Sequence, residues 1–249
     1  MIELKKLENL LEQGKITRRD FLARVSAMGL TLAMSPLWMS SSAYAEAPKK
    51  GGRLRIGSHS GATTETLEIT MLTDIMPQLV SQQVRNQLVV IDEKGAAAPE
   101  LAENWESTPD AKQWIFNLRK GVEFHSGKTV DADDVIYSIN LSRGEDTKSP
   151  AKGILKPVTD IKKDGKNQII FTLESGNADF PYFLAEVNLV IVPNGTTDFE
   201  KGMGTGPFIL KKWEPGVRAF TTRNPNYFKE GLPYFDEVET LSMPDVVAR

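Results

Sequence analysis

Apolar and polar positions between Leu88 and Asn140 follow one another in an order that predicts a run of elements. An apolar segment from Leu88 ends at Asp92, and Gly95 predicts a turn. Pro99 then opens a predicted short helix to Trp105, since proline suits a first helical position. Next, Trp114, Phe116 and Leu118 recur at every second position, with Gln113, Asn117 and Arg119 among the residues between them, the pattern of a half-buried strand. A turn at Ser126-Gly127 leads to Asp131, which reads as the cap of a helix over Ala132–Leu141. This is the scaffold of a binding lobe and not a catalytic centre.

The same reading extends to both sides. Arg53–Gly57 alternates as a first strand, and the Ser-, Gly- and Thr-rich stretch Ser58–Thr66, with His59 in it, is a loop leaving a strand end, where α/β sheets place ligand contacts. Met76, Leu79, Val80, Val84 and Leu88 are spaced for a helix with one buried face. Val158–Lys163 and Gln168–Leu173 predict a hairpin around Asp164-Gly165. A short helix starts at Asp179-Phe180-Pro181 and gives way near Asn188 to the run Leu189–Pro193. Strands are predicted at Phe208–Trp213 and Arg218–Arg223 around Pro215-Gly216, and again at Val238–Ser242. The last residues, from Asp245, read as a helix just begun, so a fragment is expected.

Composition changes the picture mainly at the amino terminus. The chain has 249 residues, a formal charge of −3 and no cysteine. Arg18 and Arg19 lie within Thr17–Leu22, a charge-free run spans Val25–Met39, and Ala43-Tyr44-Ala45 is a small-x-small cleavage site. In that order these predict a twin-arginine export signal over 1–45 that engages the twin-arginine machinery and is cut after Ala45. The run is short of the ~20 apolar residues a membrane span needs, and Pro36 interrupts it. Without the signal the remainder is more acidic, which argues against a nucleic-acid partner. The missing cysteine also leaves no site for a lipid anchor.

Three motifs invite chemistry and fail on spacing. Gly127-Lys128-Thr129 lacks the upstream glycine of a phosphate loop, because position 122 is Val122. Asp131, Asp133 and Asp134 lack the glycine and glutamate of a calcium loop, since Ile136 and Ser142 occupy those positions, and helix capping accounts for Asp131. Gly202, Gly204 and Gly206 precede Pro207 and a strand, not the helix a dinucleotide needs. His59 and His125 stand apart without a metal-ligand neighbour, and Trp105, Trp114 and Trp213 read as core anchors. No metal, cofactor or catalytic group is expected.

Five ordered blocks carry a resemblance: Leu101-Ala-Glu-Asn-Trp-Glu-Ser107, Trp114 through Gly127, Asp131-Ala-Asp-Asp-Val-Ile-Tyr-Ser138, Gly204-Thr-Gly-Pro-Phe208, and Arg223-Asn-Pro-Asn-Tyr-Phe228 with Pro233-Tyr-Phe-Asp236. Together they resemble the solute-binding proteins of peptide/nickel-type ABC importers, family 5. The resemblance implies an α/β fold with mixed sheets: the first lobe of a two-lobed, type II periplasmic-binding-protein fold, without its second lobe. Residues 46–85 would open the lobe core, 86–195 would form an extra subdomain, and 196–249 would return to the core. It implies a monomeric, non-enzymatic periplasmic protein that captures a peptide or related small molecule and delivers it to ABC permease subunits in the membrane. The alternative is a truncated, non-transporting lobe or pseudogene product acting through protein interaction. Cleft contacts implied for this lobe fall at Thr73, Asp74 and Ile75, at Glu186 and Asn188, and at Gly204 and Thr205 in the glycine turn.

Overall fold

The structure is a computed structural model that describes residues 48–59, 61–245 and 247, together with 5–7, 10, 15, 16, 20, 21 and 24. Arg18, Arg19, Ala43 and Ala45 lie outside the described residues. The chain divides into Met1–Pro48 and Lys49–Arg249. Among the described residues no helix is long and apolar enough to cross a membrane.

Within Lys49–Arg249 one sheet joins the two ends of the unit. Its order is β1 (Arg53–Ser58), β10 (Glu237–Ser242), β9 (Arg218–Arg223), β8 (Phe208–Glu214), with β1 parallel to β10 and the others antiparallel. The period of two in β1 sets its faces: Arg53 and Arg55 point to solvent opposite Glu237 and Glu239, at 2.8 and 3.0 Å, while Leu54 and Ile56 alternate with them. Such exposed pairs contribute only about 0–1 kcal/mol each, so they fix register more than stability. Helix α1 (Ile75–Val84) covers the other face, burying Met76 and Val80 against Leu67 and Ala219 beside Leu210 and Trp213.

A second four-stranded sheet has the order β4 (Ala102–Ser107), β5 (Gln113–Leu118), β7 (Gln168–Leu173), β6 (Val158–Lys163). The alternation in β5 places Trp114, Phe116 and Leu118 in the largest apolar cluster, where Phe116 meets Phe171 edge-on at 5.5 Å and Phe180 packs on both. Helix α2 (Ala132–Leu141) lies on β6 and β7. Short helices α3 (Lys152–Leu155) and α4 (Phe180–Phe183) and a two-stranded ribbon, β2 (Val89–Ile91) with β3 (Ala97–Pro99), complete the layer.

Capping explains where α2 begins. Asp131 accepts the N–H groups of Asp133 and Asp134 at 3.0 and 3.2 Å, and the Asp134 carboxylate accepts the Asp131 N–H at 2.9 Å. Asp131→Ala is therefore expected to cost about 1 kcal/mol, read as a lower urea midpoint at unchanged slope.

Two sequence expectations are corrected. Pro99–Trp105 is not a helix: Pro99 ends β3 opposite Val89, and Ala102–Ser107 is an edge strand paired with β5. Most side chains of that strand face solvent, so no apolar alternation marks it, and pairing overrides local propensity. The helix predicted to reach Leu88 stops at Val84, because Arg85 turns extended at φ −133°.

Candidate functional site

Chain crossings around α1 build the candidate site. The loop after β1 passes at the carboxyl ends of the parallel pair β1 and β10, and the Met243 N–H closes on the Ser58 carbonyl at 2.7 Å. Open α/β sheets bind ligands at such strand ends. The loop ends in a 3-10 turn, Ile69–Met71, and enters α1 through Asp74, whose side chain makes no capping bond. Thr73, Asp74 and Ile75 are all exposed, as is Met71, so this end of the helix presents apolar surface beside the exposed Asp74 carboxylate.

A second 3-10 turn, Val187–Leu189, docks on the first. Asn188 is buried and donates from Nδ2 to the Ile69 carbonyl at 2.8 Å, while Glu186 stays half-buried next to it. Thr73–Ile75 and Glu186–Asn188 thus lie on either side of one joint, though the Asn188 side chain is already occupied in holding it. The buried run that follows is irregular: Ser138 Oγ bonds both the N–H and the carbonyl of Val192, at 2.9 and 3.1 Å, and the Ile191 N–H reaches the Asn86 carbonyl at 2.9 Å.

Gly204 and Thr205 sit at the opposite end of α1, ~15 Å away for a helix of this length. There the turn meets protein backbone: a Cβ on Gly204 would fall 2.2 Å from the Val84 carbonyl oxygen, and one on Gly206 2.4 Å from its carbonyl carbon. The Gly206 N–H donates to Val84 at 2.9 Å, and the Thr205 hydroxyl bonds Asn86 Oδ1 at 2.8 Å. Next to this turn opens a cavity of about 450 Å³ lined in part by Gln82, Gln87, Glu100 and Tyr227, with Glu100 ion-paired to Lys229.

Arg85 is the buried residue beside the glycine turn that the sequence reading did not single out. Its guanidinium is fully buried and donates to the carbonyls of Leu67, Phe199 and Met203 at 2.7, 2.7 and 3.2 Å. Burial lowers its pKa to about 10 against the opposing fields of Glu200 and Glu68. The one sequence signal was an arginine between the apolar positions Val84 and Leu88.

His125 fastens the glycine turn from the other side. Its N–H donates to the Gly204 carbonyl at 2.8 Å, and the Nε2–H tautomer donates to Gly206 at 3.1 Å. Burial, and secondarily the Arg85 and Lys211 charges, hold its pKa below the usual value, while the Gly206 bond works the other way. The folded form thus takes up a proton less readily than the unfolded chain. Its contribution to stability is fully present above the unfolded pKa of about 6.5 and is lost as pH falls from there through the lower folded pKa. Urea titrations across this range are expected to show a steeper acid loss in the wild type than in His125→Gln.

Among the described residues no group of three or more His, Cys, Asp or Glu is placed to hold a metal ion. What the joint offers is hydrogen bonding and apolar contact. Residues 96–249 match the model of bacterial extracellular solute-binding proteins, family 5 middle region. The chain belongs to family 5. The chain is similar to the oligopeptide-binding protein AppA of Bacillus subtilis, 26% identical over 213 residues, 81% of this chain and 39% of AppA. The fold is similar to that of the PBP AgaA of A. tumefaciens R10, solved with agropinic acid, at TM-score 0.74 and 28% identity over 80% of this chain and 41% of that one. It is also similar to AppA solved with a nonapeptide, at TM-score 0.72 and 27% identity over 81% and 42%. The chain spans about a quarter to two-fifths of the length of the curated relatives it matches.

Proposed function

We propose that this chain supplies one ligand-contacting lobe of the extracytoplasmic solute-binding component of an ABC importer, and that the solute is peptide-like and is handed to a membrane permease. The match of residues 96–249 to family 5 carries this reading. The exposed end of α1, Met71 with Thr73, Asp74 and Ile75, fits it: backbone groups and a carboxylate are available for hydrogen bonds, and two apolar side chains for contact. A site of this kind acts by favouring whichever conformation contacts the solute on more sides. The twin-arginine signal would deliver the folded protein across the cytoplasmic membrane.

Calorimetric titration of the chain with di-, tri- and oligopeptides, with an opine and a nickel chelate as comparison probes, tests the reading. Peptides are expected to bind, and Ile75→Lys is expected to weaken them about tenfold, or about 1.4 kcal/mol. Absence of heat with every probe would remove the solute-binding role; binding of the opine or chelate alone would replace the peptide.

A further inference from the structure

Asn194 is the one asparagine in the chain that glycine follows. It lies in an exposed turn closed by the Thr196 N–H on the Pro193 carbonyl at 3.1 Å, between the buried run and the 3-10 turn Phe199–Lys201. Among the described residues the Asn194 side chain has no hydrogen-bond partner, and neither has the Gly195 N–H. Gly195 sits at φ 83°, and nothing lies within 4 Å of where a Cβ would be. A nucleophile, the Gly195 peptide nitrogen, and an electrophile, the Asn194 carboxamide carbon, are thus adjacent in the chain, unshielded and untied.

We propose that Asn194-Gly195 is a self-modification site, at which the asparagine amide is exchanged for a carboxylate. Base removes the Gly195 N–H proton, and the nitrogen adds to Asn194 Cγ. The new N–Cγ bond forms as the Cγ–NH₂ bond breaks, and ammonia leaves with a proton, closing a five-membered succinimide. One water then opens the ring at either carbonyl. One opening gives aspartate; the other gives isoaspartate, with the main chain rerouted through the side-chain carbon. One water enters and one ammonia departs, with no change of oxidation state.

The position gives the reaction a structural consequence. The Asn194 N–H donates to Asp134 Oδ1 at 2.8 Å, and the Tyr137 hydroxyl donates to the Thr196 carbonyl at 2.6 Å, so the turn is fastened to α2 on both sides. Asp134 is wholly buried and already shared by Lys128 Nζ and the Asp131 N–H, at 2.5 and 2.9 Å. A new carboxylate on the residue whose N–H Asp134 accepts adds a like charge in the neighbourhood of a desolvated one. Isoaspartate also lengthens the main chain by a methylene between the two fastenings. Both products loosen the turn from α2.

Incubating the purified chain at mildly alkaline pH and mapping its peptides by mass spectrometry tests this. A gain of about 1 Da is expected on the peptide containing Asn194, resolving into aspartate and isoaspartate forms. It should accumulate at about tenfold the rate at Asn177, which alanine follows, because a glycine nitrogen carries no Cβ neighbour to hinder attack. Asn194→Gln is expected to suppress the gain, and Asn194→Asp to melt below the wild type. Conversion no faster than at Asn177 overturns the site, and an Asn194→Asp variant as stable as the wild type overturns the consequence.

Discussion

Arg85→Met is expected to lower the stability of the folded unit by about 3 kcal/mol or more. Three carbonyls from two crossings, Leu67 on one and Phe199 and Met203 on the other, converge on one guanidinium and would lose their donors. Each buried acceptor left unpaired costs about 1–3 kcal/mol, while removing a buried cation recovers part of that sum. The loss is a large share of the roughly 5–15 kcal/mol that holds a typical domain. Arg85→Lys is expected to fall between, because an ammonium keeps the charge but lacks the planar fork that reaches diverging acceptors. Urea unfolding followed by tryptophan fluorescence ranks the three proteins. A methionine variant as stable as the wild type would show that the carbonyls find other donors.

Gly206→Ala is expected to do comparable damage for a steric reason. Its Cβ would fall 2.4 Å from Val84 C, 2.5 Å from the Gln83 carbonyl oxygen and 2.6 Å from Arg85 N. All three are backbone, so no rotamer change relieves them. The turn must leave the end of α1, taking with it the Gly206 bond to Val84 and the two His125 bonds. Overpacking of this kind costs about 1–3 kcal/mol and more where backbone is trapped. Gly153→Ala is the internal control: nothing lies within 4 Å of its Cβ position, it sits in α3, and alanine there is expected to raise the thermal midpoint slightly. Equal effects at the two positions would show that the close approach at Gly206 is not what its glycine serves.

Much of the fold was legible where local rules and tertiary demands agree. The alternation of Trp114, Phe116 and Leu118, the Asp131 cap, and the hairpin around Asp164-Gly165 all appear where periodicity and turn chemistry place them. The edge strand Ala102–Ser107 was not legible, because only Ala102 and Trp105 pack inward, three positions apart across a register shift, and that spacing is not a strand's period of two. In the candidate site, the loop leading into α1 could be read, but the destination of its polar side chains could not. Asn188 and Thr205 are residue types that suit an exposed loop as well as a core, and each is held by a partner 119 positions away in the chain. Arg85 posed the same difficulty in a stronger form, since apart from the Ser81 hydroxyl one turn back its acceptors are main-chain carbonyls, which leave no trace in side-chain identity.

Helix α1 is, mechanically, a rod gripped harder at one end than at the other. Val84 and Arg85 are clamped by the glycine turn, by His125 through that turn, and by the guanidinium fork, while the Asp74 end, packed through Met76, has no side-chain cap. A hydrogen-bonded helix hardly compresses or bends over so few turns. A push on Thr73–Ile75 is therefore not absorbed along the rod; it becomes a torque at the clamp. Bending compliance is left to the joint where Asn188 grips Ile69.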